Sequence, residues 1–140
     1  MKKLLLVSHG NLALGLHDSL KMFVGDREDI LSIGFTEENN IDKYVMEFTK
    51  LVETNCSHGE VIVLGDIIGG SPLTMAVNIL SDLGLIDTAI ILGGMNLPLA
   101  LASVLMKDNL SRNEFVTYVL AEAREALKPL QLKTLQEDEI

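Results

Sequence analysis

Short apolar runs and stretches of helical periodicity alternate along the chain. Leu4 to Val7 is a continuous apolar run that stops at a polar turn, the pattern of a buried parallel strand. Leu12, Leu16, Leu20 and Phe23 follow at helical spacing until Gly25, and Ile30 to Phe35 reads as a second strand. Ile41, Tyr44, Val45, Phe48, Leu51 and Val52 obey the i, i+3, i+4, i+7 rule, which predicts a helix capped by Asn39 or Asn40. Thr54 to Gly59 is a polar loop, and Val61 to Leu64 is a third strand. Ser71 before Pro72 predicts a helix start, a hydroxyl N-cap with proline at the first helical position. Leu73, Ala76, Val77, Leu80 and Leu83 carry that helix to Gly84. Ala89 to Leu92 is a fourth strand, followed by a glycine-rich turn and a helix toward Met106. Ser111-Arg112-Asn113-Glu114 is a capping box opening a last helix through Leu127, stopped by Pro129. Leu130 to Leu135 partly alternate, which allows a short final strand before the acidic tail Glu137-Asp138-Glu139.

Strand-then-helix units in succession predict a doubly wound, mainly parallel sheet of four strands with helices on both faces. The 140 residues suffice for one domain around a single core, and 48% hydrophobic content excludes disorder. With 11 Lys+Arg against 20 Asp+Glu the net charge is −9, and no basic stripe of the kind that grips nucleic acid occurs. One cysteine, Cys56, excludes an internal disulfide and cannot alone assemble a zinc site. The apolar run after Lys2-Lys3 ends at Val7, too early for a secretory signal, and no run approaches a membrane span. The default expectation is a cytoplasmic protein.

In such sheets ligands gather at the carboxyl ends of the strands, at the topological switch point. Three polar or glycine-rich turns follow strands here: Ser8-His9-Gly10, Gly65-Asp66 to Ser71, and Gly93 to Pro98. His9 is the first candidate. Asp66, at the equivalent end of the third strand, can accept a hydrogen bond from one imidazole nitrogen, which leaves the other as a directed nucleophile. Ser71, with the backbone N–H groups of the Gly69-Gly70 turn and its helix start, forms an anion-receptive pocket. That combination suits phosphoryl transfer to histidine. The plainer alternatives are a solvated Asp66 and a Ser71 that only caps its helix. His17 reads as a surface residue, His58 lies in the polar loop away from the strand ends, and Cys56 reads as a loop or partly buried thiol. The six methionines read as core fillers, with Met95 placed to touch the site from its turn.

Leu5-Leu6-Val7-Ser8-His9-Gly10 resembles the amino terminus of the mannose-family enzyme IIA domains of the bacterial sugar phosphotransferase system. Gly15-Leu16 to Ser19-Leu20 and Met22 to Gly25 continue the likeness. Asp66-Ile67-Ile68-Gly69-Gly70-Ser71-Pro72 resembles the family's Asp-x-x-Gly-Gly-Ser-Pro loop, and Gly94-Met95-Asn96-Leu97-Pro98 its third signature. Each motif alone is weak; three in order, each after a strand, are specific. One departure stands out: Leu73-Thr74 follow Pro72 where the family carries x-Asn, so a contribution from that asparagine is absent.

The resemblance implies that His9 accepts a phosphoryl group from the phosphohistidine carrier HPr. His9 then passes it to the cognate enzyme IIB, for sugar uptake through the IIC/IID permease. It implies that Asp66 orients the His9 ring and that Ser71, beside Gly70, hydrogen-bonds at the phosphate site, with no metal and no cofactor. It also implies a homodimer with the carboxy-terminal strand exchanged, for which Leu130 to Leu135 is the segment available. Residues 1–130 then form the phosphocarrier domain and 131–140 the strand and tail, with no linker to a fused IIB.

Three alternatives remain open on the residues. A phosphocarrier domain serving a dihydroxyacetone kinase shares the strand-His turn, although the second and third motifs favour the sugar branch. A receiver-like regulatory domain would place its phosphorylated aspartate at Asp66 but needs an acidic pair where Ser8-His9-Gly10 stands. A serine hydrolase built on Ser71 lacks the Gly-x-Ser-x-Gly elbow. The acidity and the carried phosphate together predict partners with basic, partly apolar docking faces.

Overall fold

Leu4, Leu5, Leu6 and Val7 are all wholly buried in β1 (Lys3–His9), because both faces of this central strand are covered by helices. The computed structural model describes residues 1–38, 40–56 and 60–132. After β1 come α1 (Leu12–Val24), β2 (Ile30–Phe35), α2 (Ile41–Asn55), β3 (Val61–Gly65), α3 (Ser71–Asp82), β4 (Ile90–Leu92), α4 (Leu97–Met106) and α5 (Arg112–Glu125). The strands lie in the order β2-β1-β3-β4 and every pairing is parallel, which bears out the doubly wound sheet. Strand order reverses between β1 and β3, so the switch point falls at their carboxyl ends.

Alternation along the strands divides the core in two. Leu4 and Leu6 of β1 with Ile62 and Leu64 of β3 face α1, α4 and α5, where Leu20, Leu99, Val104, Phe115 and Val119 meet them. Leu5 and Val7 with Val61 and Val63 face α2 and α3, against Tyr44, Phe48, Val52, Ala76 and Leu80. The buried stripe of α1 differs from the expected one. Ala13 and Leu20 are buried with Leu16 and Val24 against them, whereas Leu12 and Phe23 stand exposed. Spacing alone allowed both stripes; the small Ala13 is the one that lets α1 approach β1.

Cap chemistry explains the helix boundaries. Asn40 accepts the Lys43 N–H at 2.7 Å, so it caps α2; Asn39 lies outside the described residues. The capping box of α5 forms as expected, Ser111 and Glu114 bonding each other's backbone N–H. The expected Ser71 cap does not form. Gly70, extended at φ −78° and ψ 153°, is the N-cap of α3, and its carbonyl accepts the Thr74 N–H. Ser71 therefore sits inside the first turn and makes no capping bond. β4 begins one residue later than expected, because Ala89 N–H closes the preceding turn onto Leu85 and Ile86. α5 ends at Glu125 rather than Leu127, whose side chain is exposed. Of the expected carboxy-terminal strand, residues 130–132 adopt no strand, while 133–135 and the acidic tail lie outside the described residues.

A buried ion cluster closes the amino edge of the sheet, opposite the switch point. Lys107, 0% exposed, contacts Asp29 at 2.6 Å and Asp108 at 2.7 Å. Arg27 grips Asp29 with two bonds of 2.9 and 2.7 Å. The cluster joins the start of β2 to the end of α4, and the Lys2 backbone N–H adds a bond to Asp108. Arg27 and Lys107 outweigh burial and hold the Asp29 carboxyl far below the usual carboxylate range; the Arg27 hydrogen bond is the largest influence. Among the described residues no helix is long and apolar enough to cross a membrane.

Candidate active site

β1 runs two pairings further along β2 than along β3. His9 pairs with Phe35, whereas the last β1–β3 pairing is Val7 with Gly65. Where β3 runs out, the Asp66 side chain takes over as acceptor. Its Oδ2 receives the His9 backbone N–H at 2.9 Å and lies 2.8 Å from His9 Nδ1, and its Oδ1 receives the Ile67 N–H at 2.9 Å. Burial alone would raise the Asp66 carboxyl, but the bonds from His9 and Ile67 outweigh it and hold the group below its ordinary value. An ionised carboxylate only accepts, so the shared proton resides on Nδ1 and the lone pair on Nε2. The His9 side chain is 49% exposed, leaving that nitrogen accessible.

Gly70 bounds the other side of the ring. A Cβ built there would lie 2.7 Å from His9 Cε1 and 3.4 Å from Nε2. Only a glycine lets the N-terminus of α3 come this close to the imidazole. The Gly70 N–H closes the turn onto Ile67 O at 3.3 Å, and Ser71 opens the helix beside it. The sequence-predicted residues His9, Asp66, Gly70 and Ser71 thus share one edge, the first three in direct contact. Ser8 points the opposite way, its hydroxyl accepting the Ala13 N–H at 2.7 Å to start α1. A cleft of about 660 Å³ opens beside the ring, lined by His9, Gly10, Asn11, Phe35, Thr36, Glu37 and Glu38.

Two contributions escape sequence reasoning. Tyr44, on the buried stripe of α2, donates its hydroxyl to Pro72 O at 3.0 Å and so ties α2 to the first turn of α3. Burial first, then the Asp66 charge, push its phenol above the ordinary range. The signal was an aromatic with a hydroxyl on an apolar stripe, which needs a buried partner. Glu37 and Glu38 were the other omission, since nothing local shows that the loop after β2 borders His9.

The remaining candidates go elsewhere. His17 is half-buried rather than on the surface, its Nδ1 lying 2.7 Å from Ser32 Oγ. Cys56 is buried and its thiol pushed up, chiefly by desolvation. Met95 is buried in the core against α4, and its N–H bonds Gly65 O, tying the third turn to β3. His58 lies outside the described residues. No group of three His, Cys, Asp or Glu placed to hold a metal occurs among the described residues.

The fold and sequence have clear counterparts. A family model described as the PTS system fructose IIA component matches residues 3–120. The chain is 21% identical over 128 residues to the fructose-specific EIIA component of Bacillus subtilis (strain 168), covering 91% of this chain and 86% of that one. It is 28% identical over 134 residues to the mannose-specific EIIAB component of Escherichia coli (strain K12), spanning 92% of this chain but 39% of that longer protein. The PTS IIA protein associated with the fucose utilization operon from Streptococcus pneumoniae superposes with a TM-score of 0.76 at 30% identity, covering 96% of each chain.

Proposed function

The chain belongs to the PTS fructose/mannose IIA family, and from that premise we propose that His9 is its phosphoryl-carrying residue. It is a IIA component of a sugar phosphotransferase system. In our reading HPr is the donor, the cognate enzyme IIB the acceptor, the IIC/IID permease the final destination and the cytoplasm the setting. A homodimer is the expected assembly. The observation that carries the assignment is the bond between His9 Nδ1 and Asp66, which leaves the Nε2 lone pair exposed beside Gly70.

The Nε2 lone pair attacks the phosphorus of the donor's phosphohistidine. A new N–P bond forms as the donor's N–P bond breaks, and that electron pair returns to the donor ring. The phosphoryl group moves as PO₃⁻, so no other reactant is consumed. While Nδ1 keeps its proton the phosphorylated ring is cationic, and Asp66 stabilises it. Ser71 and the start of α3 lie where the phosphoryl oxygens collect partial positive charge from a helix N-terminus. Transfer onward to IIB reverses these steps. In-line approach and charge placement account for the catalysis.

The deciding experiment is labelling by phosphorylated HPr. Wild type is expected to take up one acid-labile, base-stable phosphate per chain, and His9→Ala none, with an unchanged circular dichroism spectrum. Stoichiometric labelling of His9→Ala would overturn the assignment.

A further inference from the structure

We propose that Tyr44 is a positioning residue for phosphoryl transfer: from beneath the site, its buried ring and hydroxyl fix the first turn of α3 relative to the strand ends that carry His9 and Phe35. The inference rests on the phosphocarrier reading and names a residue that shapes the site without reaching its surface.

Tyr44 stands on the buried stripe of α2 with Phe48 and Val52, where a purely apolar side chain would suffice for packing. A buried hydroxyl costs free energy unless it is bonded. Here it donates to Pro72 O at 3.0 Å, and the residue is wholly buried. Pro72 lies in the first turn of α3, so its carbonyl also faces a helical N–H four residues on and does not depend on the hydroxyl for a partner. Burial first, then the Asp66 charge, raise the phenol, so the hydroxyl keeps its proton and the bond persists through neutral pH. What the hydroxyl adds is therefore a fixed placement of the helix start.

The same ring meets the other wall of the site. It packs edge-on against Phe35, with centroids 5.5 Å apart at 78°, and Phe48 stacks on it at 6.2 Å. Phe35 is the strand partner of His9, accepts the Gly10 N–H at 2.7 Å through its carbonyl and lines the cleft beside the imidazole. One side chain thus links the strand end next to His9 with the helix start opposite. That helix start has little room to move. Two residues before Pro72, a Cβ on Gly70 would lie 2.7 Å from His9 Cε1. One residue after Pro72, Leu73 packs on Gly65, where a Cβ would meet it at 2.8 Å. A shift of the turn toward the ring collides with the imidazole, and a shift away withdraws Ser71 and the helix N-terminus from Nε2. Transfer rates are sensitive to displacements of this size. Leu73 seats the turn on β3, and the Tyr44 hydroxyl seats it on α2.

The test compares wild type with Tyr44→Phe, which removes one oxygen and keeps the ring. With phosphorylated HPr, kcat for labelling is expected to fall about tenfold. KM is expected to be unchanged, because a wholly buried residue cannot meet the partner. With phosphoramidate, a small P–N donor, the labelling rate is expected to fall by the same factor, and the backbone ¹H–¹⁵N signals of Gly70 and Ser71 to shift. Val52→Ala, two turns further along the same stripe, is expected to lower the urea midpoint at unchanged kcat. An unchanged kcat in Tyr44→Phe would overturn the proposal, and so would a rise in KM alone. An equal fall of kcat in Val52→Ala would also overturn it, since general loosening of α2 would then explain the effect. Reduced labelling stoichiometry at an unchanged rate would do the same, as the mark of a partly unfolded variant. Failure of wild type to label with either donor would instead overturn the phosphocarrier reading itself, and the positioning role with it.

Discussion

Asp66 meets His9 twice with one oxygen: Oδ2 accepts the His9 backbone N–H at 2.9 Å and faces the ring Nδ1 at 2.8 Å. The first bond replaces the ladder bond that β3 no longer supplies, and the second sets the tautomer. Backbone register and ring orientation are therefore coupled through a single carboxylate.

Asp66→Ala is expected to slow phosphoryl uptake on the order of 100-fold without abolishing it, because Nε2 survives but the tautomer is no longer imposed. Rapid-quench labelling by phosphorylated HPr measures the rate, and ¹⁵N chemical shifts of His9 report the tautomer. A rate equal to wild type would remove the orienting role.

Gly70→Ala separates activity from stability. Its backbone angles suit alanine, but the new Cβ would sit 2.7 Å from His9 Cε1. The ring must swing away from Asp66. Labelling is expected to slow about tenfold or more while unfolding free energy changes by less than about 1 kcal/mol. Equal losses in both would show that Gly70 serves the fold rather than the ring.

The ion cluster at the opposite edge predicts the reverse. Asp29→Ala leaves Lys107 buried with only Asp108, itself more than a third exposed, as counter-charge. Breaking a buried pair in this way costs about 3–5 kcal/mol. Arg27→Gln, at a one-third exposed side chain, is expected to cost about 1 kcal/mol or less. Urea denaturation distinguishes them, and a small effect of Asp29→Ala would mean that water reaches Lys107.

His17 predicts a pH effect. Burial, then Lys21, hold its folded value below 6.5, against the pull of Asp26 and Asp18. As pH falls below 6.5 the unfolded chain binds a proton that the folded chain refuses, so stability drops between 6.5 and the folded value. His17→Gln can keep a bond to Ser32 without titrating and is expected to flatten that part of the profile. Denaturation midpoints at neutral and mildly acidic pH provide the check; parallel profiles for the two proteins would exclude His17 as the cause.

Much of this was written locally. The apolar runs of β1 and β3, the capping box at Ser111 and the glycine-rich turns after strands are short-range signals, each readable within a few residues. They place His9, Asp66 and Ser71 on one edge, because parallel strands all end on the same side of the sheet. The family likeness in those turns is local for the same reason.

Tertiary structure decided what depends on neighbours distant in the chain. Whether Ala13 or Leu12 faces the sheet is a packing choice between two stripes of equal spacing. The N-cap is Gly70 rather than Ser71, and that glycine lies against the His9 ring. Tyr44 reaches Pro72 across 28 positions and Lys107 reaches Asp29 across the sheet edge. No local pattern encodes such pairings. A lysine after a helix reads as solvated until the fold removes its water and leaves two carboxylates as its partners.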